Sequence, residues 1–150
     1  MITAAQVKEL RDETGVSIMQ CRNALEAADG DMDKAREALK KDSKRQADKK
    51  KDRQLGSGAV AAYIHNDGLS GTIVELLCET DFVSRNDEFR TLARDIAMHI
   101  TAMAPESKEE LLKQDFIKDP SKTIGTLIDE AVQKFGEKTD VGEFSRFALR

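Results

Sequence analysis

Apolar residues recur along this chain in two rhythms, and the change between them divides it. Over the first forty residues they fall at helical spacing in short runs closed by glycine. Thr3-Ala-Ala-Gln6 has the form of a capping box, with Ile2 and Val7 at the N′ and N4 positions of a hydrophobic staple. Val7 and Leu10 give this helix an apolar edge, and Gly15 stops it. Ser17-Ile-Met-Gln20 repeats the signal and opens a second helix that ends at Asp29-Gly30. Asp31 caps a third, in which Met32, Ala35 and Leu39 share a face. The pattern predicts a three-helix bundle whose last helix runs on as a charged, semi-rigid connector.

After Gly56-Ser-Gly58 the rhythm becomes extended. Residues 59–66 and 71–80 flank "NDGLS", and Asn-Asp-Gly is strong turn chemistry, so the two segments predict a β-hairpin. Ile73, Val74, Leu76, Leu77 and Cys78 run almost without a polar break, which predicts a strand covered on both faces. From Asn86 the period is helical again: Phe89, Leu92, Ala93, Ile96, Ile100 and Met103 form one stripe, ended by Pro105. Ser107-Lys-Glu-Glu110 caps a short helix, and "KDPSKT" reads as a loop. Ile124, Leu127, Ile128, Ala131, Val132 and Phe135 trace a further helix closed by Gly136. The tail "VGEFSRFALR" alternates, with Ser145, Phe147 and Leu149 on one face, and predicts a third strand. The expected fold is α+β: a three-helix bundle, then a three-stranded antiparallel sheet packed with helices.

Composition narrows this picture. With 150 residues, 39% hydrophobic, few aromatics and no Trp, the chain can build one small core and a mini-domain, mostly of Leu, Ile, Val, Ala and Met. Cys21 and Cys78 stand alone, with no CxxC and no nearby His, and read as buried reduced thiols. No segment resembles a signal peptide or a membrane span, so the expectation is a cytoplasmic protein with no membrane partner. The net charge of −4 conceals a basic tract: residues 40–53 carry eight Lys or Arg against three Asp. It could attract RNA, but it lacks interleaved aromatics for base stacking, so a solvated helix or linker is the preferred reading.

Candidate chemistry is sparse. His65 and His99 each lack a second ligand or acid–base partner in sequence, and no GxSxG, HExxH, Walker A or dinucleotide fingerprint occurs. Glu75, Glu79, Asp81 and Asp87 cluster, but a solvated edge explains them better than a catalytic pair. Neither an enzyme nor a cofactor is expected, which leaves a binding module. Ile18 and Met19 occupy adjacent angles of the second helix's first turn, so at least one should face outward, with packing of both in the core as the other reading. Phe82 sits in "ETDFVSRND", the link from strand to helix. Spacing favours a buried residue continuing the strand; the rival is an exposed aromatic anchor.

Here a resemblance enters. "VKELRDETGVSIMQCRNALEAADGDMDKA", "VELLCETDFVSRNDEF", "AMHITAMAP", "QDFIKDPSKTIGTLIDEAVQKFGEK" and "FSRFALR" are similar, in order, to stretches of the elongation factor Ts family. The resemblance implies a nucleotide exchange factor for the GTPase elongation factor Tu, without covalent catalysis. It implies a UBA-like module at residues 1–40, a basic connector at 41–57 and an α+β dimerisation core at 58–150. In that family the TDFV phenylalanine is pushed between helices of the GTPase's nucleotide-binding domain, disturbing its magnesium and phosphate sites. Carried over, Phe82 is the wedge, Asp81 its polar neighbour, and Thr80 and Val83 its flanks. Arg11, Ile18 and Met19 match contact positions of the module. Phe135-Gly136 matches an Ile-Gly contact with a bulkier first residue, and His99 matches a further contact position.

Two departures accompany the resemblance. Long members carry two related core halves where this chain has one, and a helical segment expected between "AMAPES" and "LLKQDF" is missing. A lone half exposes an apolar face, so a homodimer in which a second copy supplies the missing half is expected. An RNA-binding translation accessory protein using residues 40–53 is the alternative. A binder of ubiquitin-like ligands through the helical module alone would leave the second unit unexplained.

Overall fold

The computed structural model describes residues 1–149. It opens with three helices, α1 (Ala4–Thr14), α2 (Ile18–Ala27) and α3 (Met32–Lys49). The first cap is reciprocal: Gln6 N donates to Thr3 Oγ1 at 3.2 Å, and Thr3 N donates to Gln6 Oε1 at 2.9 Å. Ser17 and Asp31 accept from Gln20 N and Lys34 N in the same way. Gly15 ends α1 at φ 74, a left-handed cap that glycine adopts without strain. Leu10, Val16, Cys21, Leu25, Ala35 and Leu39 close the bundle's own core.

The basic tract continues α3 as expected, but its first half is not free. It packs along α7 (Ile124–Phe135). Ser43 is buried there because its hydroxyl donates to Gln133 Oε1, while Gln133 Nε2 donates to Asp42 Oδ2 at 3.1 Å. Lys122 adds a second tie, donating to the Glu13 carbonyl at 2.6 Å and pairing with Glu130 at 2.9 Å. The bundle is thereby joined to the second unit through side chains as well as through the chain.

The second unit is built on β1 (Ser57–Ile64), β2 (Ser70–Cys78) and β5 (Asp140–Ala148), antiparallel in the order β1-β2-β5. Alternation puts Thr72, Val74, Leu76 and Cys78 of the central strand on one face, opposite Tyr63, Ala61, Ala59 and Ser57. α5 (Asp87–Met103) crosses that face with Phe89, Ala93, Ile96 and Ile100 fully buried. A polar pairing beneath the sheet is satisfied: Thr101 Oγ1 donates to Thr72 Oγ1 at 2.8 Å. Both cysteines are buried and unpaired.

Three expectations are corrected. "KDPSKT" is not a simple loop: after α6 (Lys108–Lys113), β3 (Asp115–Phe116) and β4 (Asp119–Thr123) form a two-stranded ribbon. Its anchor is the buried Phe116, and within β4 Asp119 accepts from Ser121 N at 3.2 Å. Strands this short show no period. The strand-to-helix link likewise contains a helical turn, α4 (Asp81–Ser84).

The largest correction concerns β2. Only its inward face is covered; Ile73 and the partly exposed Leu77 point to the open side of the sheet. Val60 (65% exposed), Ile64 (67%) and Phe147 (71%) share that side. Ile64 lies across Gly71, where an added Cβ would come within 2.7 Å of Ile64 Cδ1. The near-continuous apolar run is therefore real, but within one chain half of it has no cover.

Candidate partner-binding surface

The site begins with the geometry of α4. Consecutive residues of a helix point about 100° apart. Val83 turns into the core and Phe82, one position earlier, turns out of it, to 89% exposure. The turn carrying Phe82 is held on several sides. Cys78 Sγ donates to the Thr80 carbonyl at 3.2 Å, the Ser57 and Ser84 hydroxyls lie 3.0 Å apart, and Arg90 Nε donates to the Ser84 carbonyl at 3.2 Å. Asn86 then caps α5, accepting from Glu88 N at 2.8 Å. Asp81 is exposed beside Phe82 and pairs with Arg85 at 3.6 Å, a solvated pair of little energetic weight. Thr80 occupies the N-cap position of α4, yet its hydroxyl makes no bond to the α4 backbone.

An exposed Phe forgoes about 1.5–3 kcal/mol that burial would supply. Phe82 forgoes it on a turn whose flanking Val83 and Ser84 are buried. Such an anchor loses little conformational freedom when a partner covers it.

On the helical bundle, Ile18 and Met19 both project outward, which resolves the two readings the sequence left open. Ile18 and Arg11 line a groove between α1 and α2, together with Ile2, Val7, Lys8 and Arg22. Its floor is apolar and its rim basic. The sequence marks Ile2 only as the N′ residue of the staple and gives Arg22 no role, since nothing local marks a groove.

Phe135 and Gly136 end α7. The Phe135 ring is half-buried, meeting Phe89 edge-on with centroids 5.9 Å apart, while Gly136 is open to solvent at φ 73. Lys134 forms an ion pair with Glu88 and lies against Gly15, so the end of α7 touches both the start of α5 and the turn before Ile18. The structure thus joins the Phe82 turn, the Phe135–Gly136 corner and the bundle in one packed frame.

His99 stands apart. It is fully enclosed, with Nε2 at 2.9 Å from Gln114 Oε1 and Nδ1 accepting from Ile117 N at 3.2 Å. Burial pushes its pKa below the ordinary histidine value, favouring the neutral ring. It ties α5 to the α6–β3 segment and offers no exposed atom to a partner. No group of three or more potential metal ligands occurs among the described residues, and no helix among them is long and apolar enough to cross a membrane.

Comparison with known proteins gives a consistent result. A family model described as elongation factor TS matches residues 40–110 and 79–150. A curated protein from Acetivibrio thermocellus, named Elongation factor Ts, is 38% identical over 192 aligned positions, covering 98% of this chain and 89% of the relative. One from Leptospira biflexa, with the same name, is 36% identical and covers 99% of this chain and 98% of its own length. A longer protein of that name from Trichlorobacter lovleyi is 42% identical, over 98% of this chain but 47% of its own length. Alignments of 192 positions against 150 residues mean that such relatives carry segments this chain lacks.

Proposed function

The chain belongs to the elongation factor Ts family, and from that premise we propose that it promotes release of GDP from elongation factor Tu, with Phe82 as the wedge. The observation that carries this reading is the exposed ring of Phe82 on a helical turn whose next two residues, Val83 and Ser84, are buried, with the Ser84 carbonyl held by Arg90. Residues 1–40 act as the UBA-like module, presenting Arg11, Ile18 and Met19 to the GTPase. Residues 41–57 connect, and residues 58–150 form the dimerisation core that carries Thr80, Asp81, Phe82, Phe135 and Gly136. No step is covalent and no cofactor takes part; guanine nucleotide is held by the partner.

Energetics restrict the wedge. Burying one Phe against the GTPase yields about 1.5–3 kcal/mol, which opposes nucleotide binding by roughly a hundredfold at most. Larger acceleration requires the helical module and the α7 corner to act with it. The coupling is reciprocal: a factor that weakens GDP binding is itself weakened by GDP, and it leaves when nucleotide returns. In a nucleotide-release assay, adding this protein should speed loss of labelled GDP from elongation factor Tu. An unchanged rate, with tight and salt-sensitive RNA binding, would favour the RNA-binding alternative instead.

The same reading extends to a homodimer. Val60, Ile64, Ile73 and Phe147 make an apolar sheet face that a second copy covers by packing its own sheet against it. Wild-type protein should sediment as a dimer and Ile73→Asp as a monomer. A wild-type monomer with full exchange activity would overturn the dimer.

A further inference from the structure

The peptide groups just before Phe82 are not satisfied locally. Glu79 N and Thr80 N both donate to Glu137 Oε1, at 3.1 and 3.0 Å, and Thr80 Oγ1 donates to Glu137 Oε2 at 2.5 Å. The tie runs both ways, since Glu79 Oε2 accepts from Lys138 N. Arg53, at the end of the basic tract, pairs with that same Glu79 oxygen at 3.5 Å. A Thr at an N-cap ordinarily turns its hydroxyl to the first turn of its own helix. Here the hydroxyl is used across the fold, on the residue that follows Gly136.

We propose that Glu137 is a positioning residue for the exchange reaction: its carboxylate fixes the Phe82 turn to the end of α7, so that the wedge and the Phe135–Gly136 corner meet the GTPase in one geometry. This rests on the reading of Phe82 as the wedge. Glu137 touches neither nucleotide nor Phe82 itself; it acts through Thr80 and the backbone at Glu79. A carboxylate suits the task because one oxygen accepts two N–H groups while the other takes the hydroxyl. Glutamine reproduces this geometry: its carbonyl oxygen accepts the same two N–H groups, and its amide donates to Thr80 Oγ1 with the hydroxyl reversed. Alanine removes all three bonds, leaving the Lys138 N–Glu79 bond as the remaining hydrogen bond between this turn and the end of α7.

The test compares Glu137→Ala and Glu137→Gln by two readouts. The first is stopped-flow release of labelled GDP from elongation factor Tu over a range of factor concentrations. Misplacing a positioned group by about an ångström costs up to two orders of magnitude, so the maximal rate with Glu137→Ala should fall about tenfold or more. The half-saturating concentration should change by less than about threefold, because the bundle surface still binds. Glu137→Gln should recover most of the maximal rate. The second readout, amide hydrogen exchange on the free protein, should show Thr80 N–H losing protection in Glu137→Ala while amides of α5 keep theirs.

Wild-type maximal rate in Glu137→Ala, equal defects in Ala and Gln, or undiminished protection of Thr80 N–H would each overturn the proposal. If the wild-type protein does not accelerate GDP release, the wedge reading fails and, with it, the assignment of Glu137 to exchange. Amide exchange then decides separately whether the tie itself exists.

Discussion

Replacing Phe82 with Ala should slow factor-stimulated GDP release from elongation factor Tu by about one to two orders of magnitude while leaving the free protein as stable as before. The kinetic side follows from burial: a Phe driven into the GTPase contributes about 1.5–3 kcal/mol, and each 1.4 kcal/mol is tenfold. The stability side follows from exposure. Phe82 is 89% exposed in the free chain, so truncation removes almost no buried area. Surface substitutions of this kind move stability by less than about 0.5 kcal/mol. Wild-type exchange by this variant, or a melting transition several degrees lower, would show that the ring serves the fold instead.

Phe89, seven residues on, should behave in the opposite way. It is fully buried beneath the sheet and meets Phe135 edge-on at 5.9 Å. Phe→Ala in such a position removes packing and leaves a cavity, at a cost of about 3–5 kcal/mol. That is a large part of the roughly 5–15 kcal/mol a domain of this size holds. Urea unfolding of Phe89→Ala should therefore show a much lower midpoint, and folded protein should persist only near the margin. A loss below about 1 kcal/mol would contradict the core described here. The two variants should therefore separate exchange from stability within one short stretch, because α4 directs the first ring outward and α5 directs the second inward.

Much of this fold could be read from pattern. The bundle was legible because each helix has a polar cap and the first ends in glycine, local signals that need no tertiary context. The hairpin was legible from Asn66-Asp67-Gly68, and α5 from its stripe. The third strand was weaker but followed from alternation after Gly142. The β3–β4 ribbon escaped because two residues of strand have no period and Pro120 argues against pairing. The open sheet face escaped because a run apolar in both phases reads alike whether a helix, a second sheet or water lies on its far side.

The site was harder for a related reason. Spacing favoured a buried Phe82 that continued the strand, and that reading fails because the chain leaves the strand for a helical turn at Asp81, too short to show a period; the family resemblance suggested exposure, and the backbone of α4 produces it. Ile18 and Met19 were ambiguous until the bundle's core was seen to close without them. Glu137 carried no signal at all. A carboxylate that binds backbone groups more than fifty residues away leaves no mark in local sequence. His99 illustrates the reverse: a polar residue beside an apolar stripe can look available and still be enclosed, its ring nitrogens satisfied by Gln114 and Ile117.

If this chain acts on a nucleotide-bound GTPase through the Phe82 surface, it must speed the loss of bound nucleotide. The most direct measurement is the rate of labelled GDP loss from elongation factor Tu in a stopped-flow instrument as this protein is titrated in. The rate should rise with concentration to a plateau well above spontaneous release. A rate that stays at the spontaneous value at every concentration would contradict it.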